Sequence, residues 1–268
     1  WLQRWYLPLS TIYATKAADR LIAVSKFTAK QLEKELHTSS KKIKVIYEGV
    51  DLDDRRQKLD SSETLKKYGL LEKRYILFVG SLQPRKNLVT LVEAFSHFAS
   101  IYVRDTVSDY KLVLAGGVGW MAEEILSAPT RFGVQDKVVF TGRVSEQDLQ
   151  SLYRGAALYV QPSIMEGFGL PILEAMSAGV PVISSDGGAL PEVVGEAGII
   201  VNLKSQMTNS QIEGQCVDRL ARAMKRVASD KKLREKLINM GYKKVKEFGW
   251  EKAARQTLSI LVGEGYNS

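Results

Sequence analysis

Apolar positions along the chain follow two rhythms. Short continuous apolar runs occur at RLIAVS (20–25), IKVIYEG (43–49), YILFVG (75–80), KLVLAG (111–116), KVVFTG (137–142), ALYVQP (157–162), PVISSD (181–186) and AGIIV (197–201). Runs of this length, closed by Gly, Pro or Asp, predict buried strands. Between them lie stretches with helical spacing. These are TAKQLEKEL (28–36), NLVTLVEAFSHFAS (87–100), a segment near 121–128, EQDLQSLY behind the capping-box variant SEQD (145–148), and a short PEVV helix. In the second of these, Leu88, Leu91, Val92, Phe95 and Phe98 form the apolar stripe, and Asn87 is the expected N-cap. From about residue 211 the pattern is helical to WEKAARQTLSILV (250–262). Strands alternating with helices predict an α/β fold with a parallel sheet covered by helices.

The rhythm breaks at VDLDDRRQKLDSS (50–62), which is polar, charged and aperiodic, as a linker between two units would be. Residues 1–49 hold two strand candidates, too few for a sheet of their own, and are expected to be the end of another domain. The chain opens without a methionine and without a signal-peptide design, which points to a piece excised from something longer.

Composition narrows the class. With 45% hydrophobic and 25% charged residues, and no apolar run near the roughly 20 residues that span a bilayer, the chain reads as a soluble globular protein. One cysteine, Cys216, allows no internal disulfide and fits a reducing compartment, so a cytoplasmic location is expected. Two histidines and that thiol are too few for a zinc cluster, and no metal is expected. The net charge of +8 is concentrated in KKIK (41–44) and KRVASDKKLREKLINMGYKKVK (225–246). Such runs read as solvated helix faces or as contacts to an anionic membrane. Basic residues interleaved with aromatics are absent, so a nucleic-acid role is not expected.

The densest chemistry lies in PSIMEGFGLPILEAMSAGVPVISSDGGALPEVV (162–194). Pro171 suits the first turn of a helix and Gly179 its end, which predicts two turns with Gly169 and Leu170 at the mouth. Glu174 falls in the first turn and Glu166 on the approach loop. Carboxylate acceptors beside bare N–H donors fit a phosphorylated sugar or nucleotide. Alternatively, one glutamate merely complements the helix dipole and the other stands there by chance. In FVGSLQPRKNL (78–88), a strand ends at Gly80, and Arg85 and Lys86 precede the next helix. Two cations there make an anion site, or simply a solvated turn.

AGGVGWMA (115–122) imitates a dinucleotide fingerprint. However, Asp136 precedes the following strand, where the ribose-binding acid should come after it. Gly116 and Gly117 are instead expected to let a loop pass close to a ligand. His37 and His97 read as structural.

Taken together, the PRKN loop, EGFGLPILEAMSAGVPVISSD, GGALPEVV and the late FGWEKAARQTL resemble the retaining GT-B glycosyltransferases of family four over about residues 18 to 262. The resemblance implies a Rossmann-like donor-binding domain at 63–248, a linker at 51–62, and a remnant of the N-terminal acceptor domain at 1–50. A C-terminal helix at 249–268 would pack back towards that domain. It further implies that Arg85 and Lys86 bind the donor diphosphate, Glu166 the transferred sugar and Glu174 the ribose. Phe168, Gly169 and Leu170 would offer backbone N–H groups, Arg143 and Val144 would face the nucleobase, and Gly80 would line the pyrophosphate. The implied partners are a UDP- or GDP-sugar, with no metal, and a glycan, lipid-linked sugar or small-molecule acceptor. The implied reaction is sugar transfer with retention of configuration, catalysed by Glu166, Arg85 and Lys86. The alternative is a non-catalytic nucleotide-sugar-binding subunit that needs a partner acceptor domain.

Overall fold

The computed structural model describes residues 2–51, 61–101, 110–203 and 210–262. Most of the expected linker, 52–60, lies outside the described residues. The chain divides into two compact units, Trp1–Gly49 with Phe248–Ser268, and Val50–Glu247.

The first unit contains helix α1 (Leu2–Ala17), strand β1 (Leu21–Ala23), helix α2 (Lys26–Leu36), strand β2 (Ile43–Val45) and, from the far end of the chain, helix α11 (Trp250–Val262). The two strands pair in parallel. Ser25 caps α2 by accepting from Thr28 N–H, and His37 ends it in the left-handed conformation with φ 50°. His37 is thus a structural C-cap. The Tyr47 and Phe248 rings meet edge to face, 5.5 Å between centroids.

The second unit is built on β3 (Tyr75–Val79), β4 (Lys111–Ala115), β5 (Val138–Gly142), β6 (Leu158–Gln161), β7 (Val182–Ser185) and β8 (Gly198–Val201). Its helices are α3 (Ser62–Lys67), α4 (Leu88–Ile101), α5 (Glu123–Arg131), α6 (Glu146–Gly155), α7 (Leu170–Ser177), α8 (Leu190–Val194), α9 (Ser210–Ser229) and α10 (Lys231–Val245). All six strands are parallel and stand in the order β5-β4-β3-β6-β7-β8. Tyr75, Ile76, Leu77 and Phe78 are successive strand residues and all fully buried, so helices cover both faces of the sheet. Ser145 accepts from Asp148 N–H and caps α6, as the SEQD motif anticipated. Asn87 does stand at the mouth of α4, but with φ 57° instead of the extended backbone of an ordinary N-cap; its Oδ1 accepts from the Thr90 hydroxyl. Helices α1 and α3 have no counterpart in the sequence reading. Among the described residues, no helix is long and apolar enough to cross a membrane.

Strand order reverses direction between β3 and β6, with β4 and β5 wound to one side and β7 and β8 to the other. At such a reversal the loops leaving the two central strands diverge and open a crevice at their carboxyl ends, where ligands of open α/β sheets bind.

Candidate functional site

Both loops at that crevice carry the candidate residues. From β3, the chain passes Gly80 and makes a 3-10 turn at Pro84–Lys86 that presents Arg85 and Lys86. From β6, it passes Ser163 and reaches Glu166. The loops are tied together by Ile164 N–H donating to Arg85 O, 2.9 Å, and by Asn87 Nδ2 donating to Pro162 O, 3.2 Å.

The charged groups meet. Glu166 Oε2 accepts from Arg85 NH1 at 2.7 Å, and Oε1 accepts from Lys86 Nζ at 2.5 Å. The resemblance assigns these three residues to one site, and folding brings both cations into direct ion pairs with the glutamate. Glu166 is 9% exposed and Lys86 8%, while the Arg85 side chain remains 47% exposed. Burial alone would raise the Glu166 carboxyl. The Lys86 hydrogen bond and charge, followed by hydrogen bonds from Arg85 and Ser163, outweigh burial and hold the carboxyl below its usual value. Two cations against one buried carboxylate leave the cluster an excess of positive charge.

Glu166 also has neutral partners that sequence reasoning missed. Ser163 Oγ donates to its Oε1 at 2.8 Å, and Gln161 Nε2 donates to the same oxygen at 3.0 Å. The Tyr159 hydroxyl in turn donates to Gln161 Oε1. The available signal was Gln161 itself, a polar residue closing an otherwise apolar strand, where a buried amide must be hydrogen-bonded.

Helix α7 forms the next wall. Gly169 is its N-cap, with φ 122°, a backbone conformation that side chains rarely adopt, and a Cβ there would lie 2.9 Å from Leu190 Cδ2. A glycine N-cap offers no side-chain acceptor to the first-turn amides, which leaves donors for a ligand. Leu170 begins the helix and the Phe168 side chain is buried. Glu174 lies in the second turn and not the first, because the helix begins one residue before Pro171. Its Oε2 accepts from the Tyr153 hydroxyl at 2.8 Å. Tyr153 packs on Tyr159, 5.9 Å between ring centroids, so the two glutamates are linked through a pair of buried tyrosines.

The remaining candidates spread along the same edge of the sheet. Gly80 N–H donates to Ala115 O, 2.9 Å, and a Cβ on Gly80 would lie 3.7 Å from the Lys86 stem, which places Gly80 against the cluster. Arg143, just past β5, is exposed and packs over Gly117; no hydrogen bond or ion pair joins it or Val144 to Glu166. Gly116 has a packing reason of its own: a Cβ on it would stand 2.1 Å from Gly80 O in the neighbouring β3 loop. His97 faces Asp218 at 3.1 Å, away from this cluster.

Comparison with known proteins places this arrangement. The family described as Glycosyl transferases group 1 matches residues 60–244, and that described as Glycosyltransferase Family 4 matches residues 1–54. The O-antigen chain mannosyltransferase B of Escherichia coli is 35% identical over 195 residues, 73% of this chain and 47% of that protein. An uncharacterized glycosyltransferase of Methanocaldococcus jannaschii is 31% identical over 252 residues, 92% of this chain and 60% of its own length. The chain therefore spans about half of these curated relatives. The crystal structure of Alr3699/HepE from Anabaena, in complex with UDP and glucose, aligns with a TM-score of 0.73 at 20% identity, covering 96% of this chain and 66% of that one. The fold is the α/β architecture of GT-B glycosyltransferases. With the group 1 model covering most of its length, the chain belongs to the group 1 glycosyl transferases.

Proposed function

We propose that this chain is the donor-binding part of a retaining glycosyltransferase that moves a hexosyl group from a UDP- or GDP-sugar to an acceptor. The observation that carries the reading is the Arg85–Lys86–Glu166 cluster at the strand-order reversal. In this reading Arg85 and Lys86 hold the donor diphosphate, aided by backbone N–H groups of Phe168, Gly169 and Leu170 at the start of α7. Glu174 accepts from the ribose, Arg143 and Val144 border the base, and Gly80 lines the pyrophosphate. Departure of the nucleoside diphosphate builds negative charge on the leaving group. Fixed cations and helix-mouth amides stabilise it without reorganising, and no divalent metal is needed. Glu166 contacts the transferred sugar.

The acceptor is a glycan, a lipid-linked sugar or a small molecule, bound by a domain of which residues 1–50 are the end. The work takes place in the cytoplasm, at an anionic membrane surface. Three lysines on α10, Lys232, Lys236 and Lys243, and Lys246 just past its end are exposed, and none has an ion-pair partner among the described residues. That face suits a peripheral contact with anionic lipid.

Calorimetric titration with UDP, GDP, ADP and their sugar conjugates tests the donor site. Micromolar binding of one base is expected. Glu174→Ala should weaken it by about 1.5–3 kcal/mol, the range of hydrogen bonds to charged groups. Lys86→Ala should weaken it as well and lower its salt dependence. No binding of any nucleotide by the wild-type chain would overturn the reading.

A further inference from the structure

The two oxygens of Glu166 have very different surroundings. Oε1 accepts from three donors: Lys86 Nζ at 2.5 Å, Ser163 Oγ at 2.8 Å and Gln161 Nε2 at 3.0 Å. Among the described residues Oε2 accepts from Arg85 alone, at 2.7 Å. The donors to Oε1 are buried, with Gln161 1% exposed and Ser163 fully enclosed, whereas Arg85 reaches solvent.

The orientation of this network is determined. The Tyr159 hydroxyl donates to Gln161 Oε1, which turns the amide nitrogen towards Ser163 Oγ, 2.8 Å, and Glu166. Tyr159 is enclosed in the protein, and burial, with the nearby Glu174 and Glu166 charges, pushes its phenol well above its usual pKa, so it stays a donor. The backbone is held as firmly. Ser185 Oγ donates to Ser163 O at 2.5 Å, and Ala189 N–H donates to Glu166 O at 2.9 Å. Moving the carboxylate out of this position would break three buried hydrogen bonds at once.

We propose that Tyr159, Gln161 and Ser163 are positioning residues that lock the Glu166 carboxylate so that Oε2 alone is offered to the donor sugar. In the same arrangement Lys86 is the lasting partner of the carboxylate and Arg85 the exchangeable one. An ammonium has three donors, so Lys86 can keep Oε1 and still reach a diphosphate oxygen. Arg85, half exposed and bound to Oε2, leaves it for the diphosphate and frees that oxygen for a sugar hydroxyl. The inference rests on the donor-site reading and adds to it which glutamate oxygen acts and what aims it.

Tyr159→Phe and Ser163→Ala test the lock. Each removes one hydroxyl, and thermal unfolding establishes that the variants are folded. Affinities for UDP and UDP-glucose, or the corresponding GDP pair, are then compared with those of the wild-type chain. Affinity for the nucleotide-sugar is expected to fall about five- to tenfold, the effect of one hydrogen bond. Affinity for the diphosphate alone should change less than about twofold. Equal losses for both ligands would make these residues merely structural, and no loss for either would show that Glu166 needs no aiming. Both outcomes overturn the positioning role while leaving the donor site in place. If the wild-type chain binds neither pair, the donor-site reading fails, and this proposal fails with it.

Discussion

A carboxylate as enclosed as Glu166 is costly to hold unless its charge is matched, and here two cations and two neutral donors match it. Removing the charge leaves Lys86 buried and unpaired, so Glu166→Gln should lower unfolding stability by about 3 kcal/mol, measured in urea. The pH dependence has a definite sign. The folded-state pKa of Glu166 is depressed, so its contribution is complete above the ordinary glutamate value of about 4.3 and is lost as pH falls through the folded value. The gap between wild type and variant should therefore close on acidification, and a gap independent of pH would contradict the ion-pair account. At this scale the sequence was informative about residue types. Arg85, Lys86, Glu166 and Glu174 were legible as chemistry because charged residues beside glycine turns have few structural uses. Their partners were not, because Tyr153 and Tyr159 look like ordinary core aromatics until their hydroxyls acquire directions.

Helix boundaries with local causes were legible. Proline near the start and glycine past the end of α7 are short-range signals, as are the Ser145 cap and the His37 terminus. Helix α3 escaped notice because six residues give too short a period. Helix α1 carries Pro8 inside it, which breaks the pattern that would have announced it. The GGALP segment is the element whose purpose only packing discloses. A Cβ on Gly187 would lie 2.3 Å from Ser163 O and 2.6 Å from Ile164 O, and one on Gly188 2.3 Å from Glu166 O. These glycines let one loop press against the backbone that carries the glutamate. Gly187→Ala should cost about 1–3 kcal/mol, as overpacking does, and should weaken nucleotide-sugar binding in parallel. Gly214→Ala in α9, where added bulk meets open space, should be neutral or stabilising by up to about 1 kcal/mol. Equal effects of the two substitutions on thermal unfolding would remove the packing explanation.

For the molecule as a whole, charge is distributed unevenly. Residues 210–247 hold eleven lysines and arginines against five acids, which is six of the chain's eight excess positive charges. Leu237 and Val245 bury the inner side of α10, which leaves its outer side to lysine. The chain should therefore sediment with vesicles containing anionic lipid and not with zwitterionic ones. Binding should be lost at about 0.5 M salt, where screening is nearly complete. Reversing Lys232, Lys236, Lys243 and Lys246 to glutamate should abolish it, at about 1 kcal/mol per lysine. Equal retention by the reversed variant would assign the face to solvent, and stronger retention on nucleic acid than on vesicles would change the partner.

The class of fold, most of the strands and the residue types of a candidate donor site were readable from the chain alone. Each of these is encoded locally, by apolar runs, by proline and glycine at helix ends, and by charged residues where a core has no use for them. The tertiary structure alone decided where those residues meet. The order β5-β4-β3-β6-β7-β8 places the loops after β3 and β6 side by side, although Lys86 and Glu166 stand 80 residues apart in the chain. Strand order follows from how buried faces pack in three dimensions, and no short window of sequence records it. The same packing turned a tyrosine, a glutamine and a serine into a directed hydrogen-bond network, because a donor acquires its acceptor only when the chain has closed around it.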